Sequence, residues 1–331
     1  MSAVMMSRAV VAAQYRGLGV AHFERGEFRQ AIAAFDSALA LTPDDTYAKW
    51  NRATALLSTG DYKRGFQEHD VAWRLFNWKG FSTIGDVDRI KHLPIWRGEA
   101  NAKVLAYHEL GFGDAIMAFR FLPELIERAE VTLVIDQCLT RLARSFDIEV
   151  LAQLPDDLDY DFRLPFFGVM SALGIDSDTI PAAPYIIPVN GEFASGGKNI
   201  GIAWSGRTQT MFTLERFLSL FAYSGFELYS LQPGPLARDD VVELPPGSDF
   251  LDVAERIEEM DHIVSVDTAA IHLAGAMGHP SAHLLLPTLI DWRWHRTDLW
   301  YPALKTYRQC DAHDWSAPFA RLNEAMHVGG V

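Results

Sequence analysis

Cysteine is scarce in this chain. Only Cys138 and Cys310 occur among 331 residues, in unrelated contexts and without CxxC spacing. Two isolated thiols give no basis for a disulfide framework or for a cysteine-ligated zinc site. This cysteine usage fits a reducing compartment, so the sequence predicts a cytoplasmic protein.

Long apolar runs and clusters of basic residues are also lacking. No stretch of about 18 apolar residues is present, and the N-terminal apolar run is interrupted too early for a signal sequence, so we expect no membrane span. The formal net charge is −14, without a compensating run of Lys or Arg. Such a charge repels phosphate backbones, so no nucleic-acid partner is expected.

The chain has a globular composition. Hydrophobic residues make up 49% of the sequence and charged residues 22%, close to average soluble usage. At this length two or three domains are expected, because single hydrophobic cores stop growing near this size.

The N-terminal part of the sequence repeats with a period of 34 residues. This shift aligns Gly26 with Gly60 and Phe28 with Tyr62. The period is typical of tetratricopeptide repeats, so we predict two such repeats over residues 1–78. Each repeat covers only its neighbour, and two repeats bury too little apolar surface to be stable alone. We therefore expect the repeats to dock on the rest of the chain.

From Lys103 onward, short apolar runs alternate with amphipathic stretches. This pattern predicts βαβ units and a parallel sheet. It restarts after a linker near 188–198, which predicts a Rossmann-like domain over 79–188 and a second over 189–331. Open α/β sheets place ligands outside the carboxyl ends of their strands, where the motifs below lie.

The first motif, HELGFGD, spans residues 108–114. Gly111 and Gly113 allow a tight turn close to a ligand, and Asp114 falls at a helix N-terminus. Asp114 is therefore a candidate general base, or alternatively only the N-cap of that helix.

The second motif, SVDTAAIHLAG, spans residues 265–275 and also joins a strand to a helix. Asp267 or Thr268 can cap this helix, and the N–H groups of Thr268, Ala269 and Ala270 form a candidate diphosphate site. The alternative is a capped core helix in which His272 merely packs or bonds a neighbour.

Two further segments carry cations beside aromatic residues. Residues 204–207, WSGR, resemble a phosphate clamp in which Arg207 offers paired donors. Residues 291–296, DWRWHR, could stack a base or sugar beside Arg293, or could form a surface loop with buried indoles. The acidic clusters at 156–157 and 159–161 resemble a metal-binding DxD, but we interpret them as solvated.

Taken in order, the repeats and the motifs HELGFGD, PYIIP, GIAWSG, SLQPG, VDTAAIHLAG, DWRW and WYP resemble the bacterial tetratricopeptide-repeat glycosyltransferase-like family. That family is similar to heptosyltransferases and, more distantly, to O-linked N-acetylglucosamine transferases. The resemblance implies a GT-B pair of Rossmann-like domains, with the acceptor mainly in the first domain and the nucleotide sugar mainly in the second. It further implies an inverting transferase that uses no metal or cofactor.

The resemblance assigns the role of general base to Asp114. It places Glu109, Gly111 and Gly113 in an acceptor loop, for a protein or glycan acceptor. The donor-binding residues expected from the motifs and the resemblance together are Trp204, Ser205, Gly206, Arg207, Asp267, Thr268, Ala269, His272 and Arg293.

The sequence departs from its relatives at two places. Leu110 stands where relatives commonly have Gln, and residues 211–213 read MFT where relatives have an Arg-Ser pair. These departures favour an alternative function, a catalytically degenerate binding module that recruits a protein partner through its repeats. The sequence argues against a dinucleotide-dependent dehydrogenase, because neither domain has GxGxxG followed by an acidic residue about 20 positions later.

Overall fold

The computed structural model describes residues 7–69, 84–206, 213–221, 225–234, 236, 238–312 and 314–327. The N-terminal helices are α1 (Arg8–Glu24), α2 (Phe28–Leu41), α3 (Thr46–Thr59) and α4 (Tyr62–His69). Each packs on the next in chain order. The predicted pair of helical repeats is thus confirmed.

Short-range signals set the ends of these helices. The Asp45 carboxylate caps α3 by accepting the Ala48 N–H at 3.0 Å, and Gly60 ends α3 in the left-handed conformation. A small core of Ala31, Phe35 and Ala55 lies between the helices. This core is small, as expected for two repeats, and leaves α4 to find a partner elsewhere.

The second repeat docks on the body of the protein. The Tyr62 hydroxyl accepts a hydrogen bond from Trp300 Nε1 at 3.2 Å. The Phe66 ring lies 5.7 Å from the Trp292 ring and 6.3 Å from the Phe167 ring. Tyr62 and Phe66 are both fully buried, so the repeats share one core with the α/β domains, as their small size requires.

The first α/β domain contains a parallel sheet. Its strands are β1 (Lys103–Tyr107), β2 (Glu130–Val134), β3 (Glu149–Leu151) and β4 (Phe162–Pro165), in the order β3-β2-β1-β4. Strand β4 was not predicted. The helices are α5 (Phe112–Ala118), α6 (Leu122–Arg128), α7 (Gln137–Ala143) and α8 (Val169–Ala172), with 3-10 turns at Val87–Ile90, Phe119–Phe121, Arg144–Phe146 and Phe166–Gly168.

Residues 173–198, all of which are described, contain no helix or strand. The second parallel sheet follows, with β5 (Asn199–Ala203), β6 (Glu227–Ser230), β7 (His262–Ser265), β8 (Ala282–Leu286) and β9 (Lys305–Arg308) in the order β6-β5-β7-β8-β9. Its helices are α9 (Leu214–Leu218), α10 (Phe250–Glu258), α11 (Ala269–Met277), α12 (Thr297–Trp300) and α13 (Ser316–His327), with a 3-10 turn at Trp292–Trp294.

The architecture is that of helical repeats followed by two Rossmann-like domains, consistent with the GT-B arrangement that was predicted. All residues of β8 are buried, as is typical of strands covered on both faces. The two domains meet where α5 packs against α11. The loops after β1 and β7 therefore lie side by side at this interface, and the space between the two loops is called the cleft below. None of the described helices is long and apolar enough to cross a membrane.

Candidate functional site

Asp114 links the two α/β domains. It is the third residue of α5, whose N-cap is Gly111, and its Oδ2 accepts the Gly111 N–H at 3.0 Å. Its Oδ1 forms an ion pair with Arg293 of the second domain. Asp114 is therefore not the N-cap that one sequence interpretation allowed. Its carboxylate both closes the first turn of α5 and faces the cleft.

Arg293 is the central cation of the cleft. Its Nη1 lies 2.7 Å from Asp291 Oδ1, and its guanidinium lies 4.6 Å above the centre of the Trp292 ring. Burial alone would lower the pKa of Arg293, but the carboxylates of Asp114 and Asp291 raise it. Arg293 is thus a permanent positive charge held between two acids.

Asp267 follows β7 and carries the most accessible carboxylate beside this cation. Loss of water contacts and the nearby Asp291 carboxylate raise the pKa of Asp267 to about 6. Solvent screens part of this effect, because 43% of the Asp267 side chain is exposed. The raised pKa therefore means that Asp267 holds its proton more readily than an ordinary exposed Asp does.

The first turn of α11 begins beside Asp267. Its N-cap, Thr268, makes no side-chain hydrogen bond to the helix, and the Thr268 hydroxyl instead lies 2.8 Å from Ser265 Oγ. Thr268 therefore occupies the N-cap position that the sequence allowed, but its side chain bonds Ser265 of the preceding strand and not a backbone N–H of the helix. The positive end of the helix, including the Ala269 N–H, remains available to an anion.

His272 lies one turn into α11, at the domain interface. Its ring lies 4.7 Å from the Trp294 ring, and a Cβ on Gly113 would approach its Cδ2 to 2.6 Å. Gly113 is thus required by the close approach of α5. Burial and the Arg293 charge lower the pKa of His272 well below its usual value, so the imidazole is neutral. Its Nε2 lies 3.8 Å from Asp267 Oδ1.

The loop after β5 is held by a side chain that sequence reasoning missed. Gln232 Oε1 accepts the N–H groups of Trp204 and Ser205 at 2.7 and 3.0 Å, and Gln232 Nε2 donates to the Ser205 carbonyl at 2.9 Å. Gly206 lies directly against the backbone of Asp267. The loop and the α11 turn are therefore neighbours, as predicted from their strand ends. Arg207 and residues 211–212 lie outside the described residues.

Glu109 has a role in holding the first loop together. It is 6% exposed, and its Oε1 accepts the Phe167 N–H at 2.7 Å. This bond ties the loop after β1 to the segment after β4. Because Glu109 is buried and bonds the backbone, it supports this loop.

The aromatic residues near Arg293 do not form an open stacking surface. Trp292, Trp294 and Trp300 are each at most 3% exposed. The interpretation that they stack a base or sugar is wrong, and the alternative of buried indoles is correct. The Trp292 and Trp300 rings pack against Tyr62 and Phe66 of the second repeat, and the Trp294 ring packs against His272.

The acidic cluster that resembles DxD lies at the opposite end of the first sheet. Asp161 accepts the Lys103 N–H at 2.8 Å, and Asp159 pairs with Lys103 Nζ at 2.9 Å, where β1 begins. Asp159 is largely exposed. Across the described residues, no group of three or more His, Cys, Asp or Glu side chains is arranged to hold a metal ion.

Comparison with known proteins identifies the N-terminal region. Residues 16–69 match the tetratricopeptide repeat family. Over 45 residues, or 14% of this chain, the sequence is 51% identical to PEX5-related protein of Mus musculus and of Homo sapiens. The match spans only 8% and 7% of those two proteins, so their whole-protein activities are not transferred.

Solved structures resemble the chain over a longer span. A family 9 glycosyl transferase from Veillonella parvula has a TM-score of 0.45 at 11% identity, covering 69% of this chain and 97% of that one. TibC, an iron-containing heptosyltransferase described in complex with ADP-D-beta-D-heptose, has a TM-score of 0.46 at 11% identity, covering 71% and 77%. TibC comes from enterotoxigenic E. coli.

A variant of O-GlcNAc transferase from Thermobaculum terrenum covers 96% of this chain and 86% of that one, with a TM-score of 0.31 at 13% identity. At TM-scores this low, structural likeness does not by itself define the fold, and the strand orders given above do.

Proposed function

We propose that this protein is a glycosyltransferase that moves a sugar from a nucleoside-diphosphate sugar to an acceptor hydroxyl, with inversion. The observation that carries the proposal is the meeting of Asp114, from the first domain, with Arg293 and the uncapped start of α11, from the second. A candidate base thus lies beside a cation and a positive helix end, which is what transfer from a diphosphate requires.

In the proposed reaction, the acceptor oxygen attacks the anomeric carbon while its proton passes to Asp114. The bond between that carbon and the diphosphate oxygen breaks, and the nucleoside diphosphate leaves with the electron pair. Arg293 and the N–H groups at the start of α11 stabilise the charge that develops on the leaving group. Gln232 holds the loop of Trp204 and Ser205 in place for the same ligand.

The ion pair between Asp114 and Arg293 gives the proposed reaction an order of events. In the free protein, the guanidinium neutralises the carboxylate. A bound diphosphate competes for the guanidinium, because phosphate oxygens are strong bidentate partners of Arg. The donor therefore frees Asp114 to accept a proton only once it has bound.

We expect Asp114→Asn to separate binding from turnover. The variant releases Arg293, so a nucleoside diphosphate should bind at least as tightly as to the wild type. Turnover should fall by about 10²–10⁴-fold, because the general base is lost. Isothermal calorimetry against a panel of nucleoside diphosphates and nucleotide sugars, followed by assay of the donor that binds, measures both effects.

Asp252→Asn is a matched control. Asp252 is also the third residue of its helix, accepts the N–H of its own N-cap residue Asp249, and pairs with an Arg of the other domain, Arg141 at 2.9 Å. It pairs with Arg141 and not with Arg293, so both binding and turnover should stay close to wild type. Absence of binding by any nucleotide at millimolar concentration would contradict the proposal and favour the degenerate binding module.

A further inference from the structure

His272 lies at the end of a chain of hydrogen-bonding side chains that come from four separate segments. Arg120 Nη2 lies 3.3 Å from the Tyr185 hydroxyl, which lies 3.5 Å from the Tyr301 hydroxyl. The Tyr301 hydroxyl in turn lies 2.9 Å from His272 Nδ1. The chain crosses from the first sheet's domain, through Tyr185 in the segment 173–198 between the two sheets, into the second domain.

The chemistry of Arg120 gives the chain a direction. An Arg side chain only donates hydrogen bonds, so the Tyr185 oxygen accepts from it. The Tyr301 oxygen also accepts a hydrogen bond from Arg120, which favours a Tyr301 proton directed to His272 Nδ1. A nitrogen that accepts a hydrogen bond carries no proton, so the proton of the neutral imidazole lies on Nε2.

Charge keeps this imidazole neutral. Arg120 is 3% exposed, and its guanidinium lies 4.8 Å from the centre of the Tyr301 ring. It also donates to the Trp300 carbonyl at 2.8 Å. Burial and the charges of Arg293 and Arg120 lower the pKa of His272, which opposes a second proton on the ring.

Packing fixes the orientation of the ring and of its partner. A Cβ at Gly275, one turn after His272, would lie 2.5 Å from Tyr301 Cδ1. Only Gly at this position lets the Tyr301 ring lie flat on α11 and reach Nδ1. Trp294 covers the imidazole at a ring distance of 4.7 Å. The ring therefore has little freedom to flip.

We infer that Arg120, Tyr185 and Tyr301 form a one-way relay that holds His272 as the Nε2–H tautomer, with that N–H directed toward the cleft beside Asp267. Tyr301 is thus a positioning residue for His272. The 3.8 Å separation between Nε2 and Asp267 Oδ1 exceeds a direct hydrogen bond and leaves the N–H to an intervening oxygen. The assignment of this oxygen to a donor phosphate rests on the proposed function. The assignment of the tautomer does not.

The tautomer can be measured directly in the full-length wild type. In protein labelled with nitrogen-15 at histidine, couplings between ring nitrogens and carbon-bound protons distinguish the two neutral tautomers and the protonated ring. His272→Gln identifies the His272 signals. We expect the Nε2–H form, unchanged between pH 8 and about pH 5.5, because the His272 pKa lies well below its usual value.

Tyr301→Phe removes the donor to Nδ1 and keeps the ring volume. Loss of this hydrogen bond should raise the proportion of the Nδ1–H tautomer by roughly tenfold. Tyr307→Phe is the matched control, since the Tyr307 hydroxyl lies at the same 2.9 Å from Nδ1 of His283, in the same domain. It should alter the His283 signals and leave those of His272 unchanged.

A wild-type His272 that carries its proton on Nδ1, or that is protonated at neutral pH, would overturn the relay, as would a Tyr301→Phe spectrum identical to wild type. The proposed function is judged separately, by adding nucleoside diphosphate and following the His272 Nε2–H signal. If the nucleotide leaves this signal unchanged while Tyr301→Phe changes the tautomer, the relay stands and the phosphate assignment fails.

Discussion

Strand β7 is flanked by an Asp at each end, and the two carboxylates have opposite surroundings. Asp261, before the strand, is 8% exposed and accepts the N–H groups of Gly197 and Asn199 at 2.7 and 2.9 Å. Asp267, after the strand, has a 43% exposed side chain and lies 3.8 Å from His272 Nε2. The same residue type is fully paired at one end and available to a ligand at the other.

Histidines at the two ends differ in the same way. At the amino end of β7, a closed hydrogen-bonded series lies inside the domain and joins His262, Ser281, His283 and Tyr307. After the strand, the series that ends at His272 opens on the cleft. The comparison teaches that clusters of polar residues become candidate sites only where the fold leaves part of their bonding capacity unused.

The largest expected effect comes from removing Arg293, the central cation at the carboxyl end of β7. Arg293→Met leaves the carboxylates of Asp114 and Asp291 without their partner, which should cost about 3–5 kcal/mol of unfolding free energy. It should also abolish nucleoside diphosphate binding. Denaturant unfolding and calorimetry measure the two effects.

Arg238→Met is the control for Arg293→Met. Arg238 pairs with Asp240 at 2.7 Å, with the Asp240 side chain 57% exposed. Loss of a surface pair should change stability by no more than about 1 kcal/mol. Equal losses of unfolding free energy in the two variants would mean that Arg293 stabilises the protein no more than a surface cation does.

The two ends of β7 should respond to pH in opposite directions. The pKa of Asp267 is raised from 3.8 to about 6, so its contribution to stability is present below pH 3.8 and lost as pH rises through about 6. Burial lowers the pKa of His279 to about 4 and of His283 to about 3. Their contribution is present above pH 6.5 and lost as pH falls toward those values.

Denaturant unfolding at pH 5 and pH 7.5 checks these directions. The unfolding free energy of Asp267→Asn, relative to that of wild type, should be higher at pH 7.5 than at pH 5. His283→Gln should be relatively more favourable at pH 5, by up to about tenfold in the folding equilibrium constant per pH unit below 6.5. Parallel pH dependences of the two variants would contradict the opposed protonation states.

Much of this comparison could be anticipated from the sequence, because local patterns encode it. The 34-residue period gave the repeats, and the alternation of apolar runs placed Asp114 and Asp267 after strands β1 and β7. What escaped prediction is long-range. The ion pair of Asp114 with Arg293 joins residues 179 positions apart, and no periodicity records which loop will face which.

The burial of the indoles escaped prediction for the same reason. A Trp-rich loop is equally compatible with a stacking surface and with a core, and the choice depends on whether another element covers it. Here α4 of the second repeat covers Trp292 and Trp300. The role of Gln232 likewise depends on two strand ends being adjacent, although its position directly after β6 was a usable signal.

A smaller effect should follow from neutralising each Asp of the pair in turn. Asp261→Asn keeps one acceptor oxygen but sets its NH2 group against the second N–H donor, so it should cost about 1–3 kcal/mol, with nucleotide binding unchanged. Asp267→Asn should cost little stability at pH 7.5 but should remove the strengthening of nucleoside diphosphate binding that we expect as pH falls through about 6. A binding curve whose pH dependence survives Asp267→Asn would assign it to another group.

The smallest expected effect tests whether the second repeat stabilises only the residues at the carboxyl end of β7. Tyr62→Phe removes the acceptor of the Trp300 N–H and should cost about 1 kcal/mol, the usual net value of one hydrogen bond. Because Trp300 precedes Tyr301, which bonds His272, exchange of the His272 amide, bonded to the Thr268 carbonyl, should rise, and exchange at Asn199, beside Asp261, should stay unchanged. Tyr47→Phe, at a 61% exposed position on the first turn of α3, is the control and should change neither. Equal exchange at both ends in Tyr62→Phe would mean that the repeats stabilise the domain as a whole, and the proposed link between the second repeat and the site would be lost.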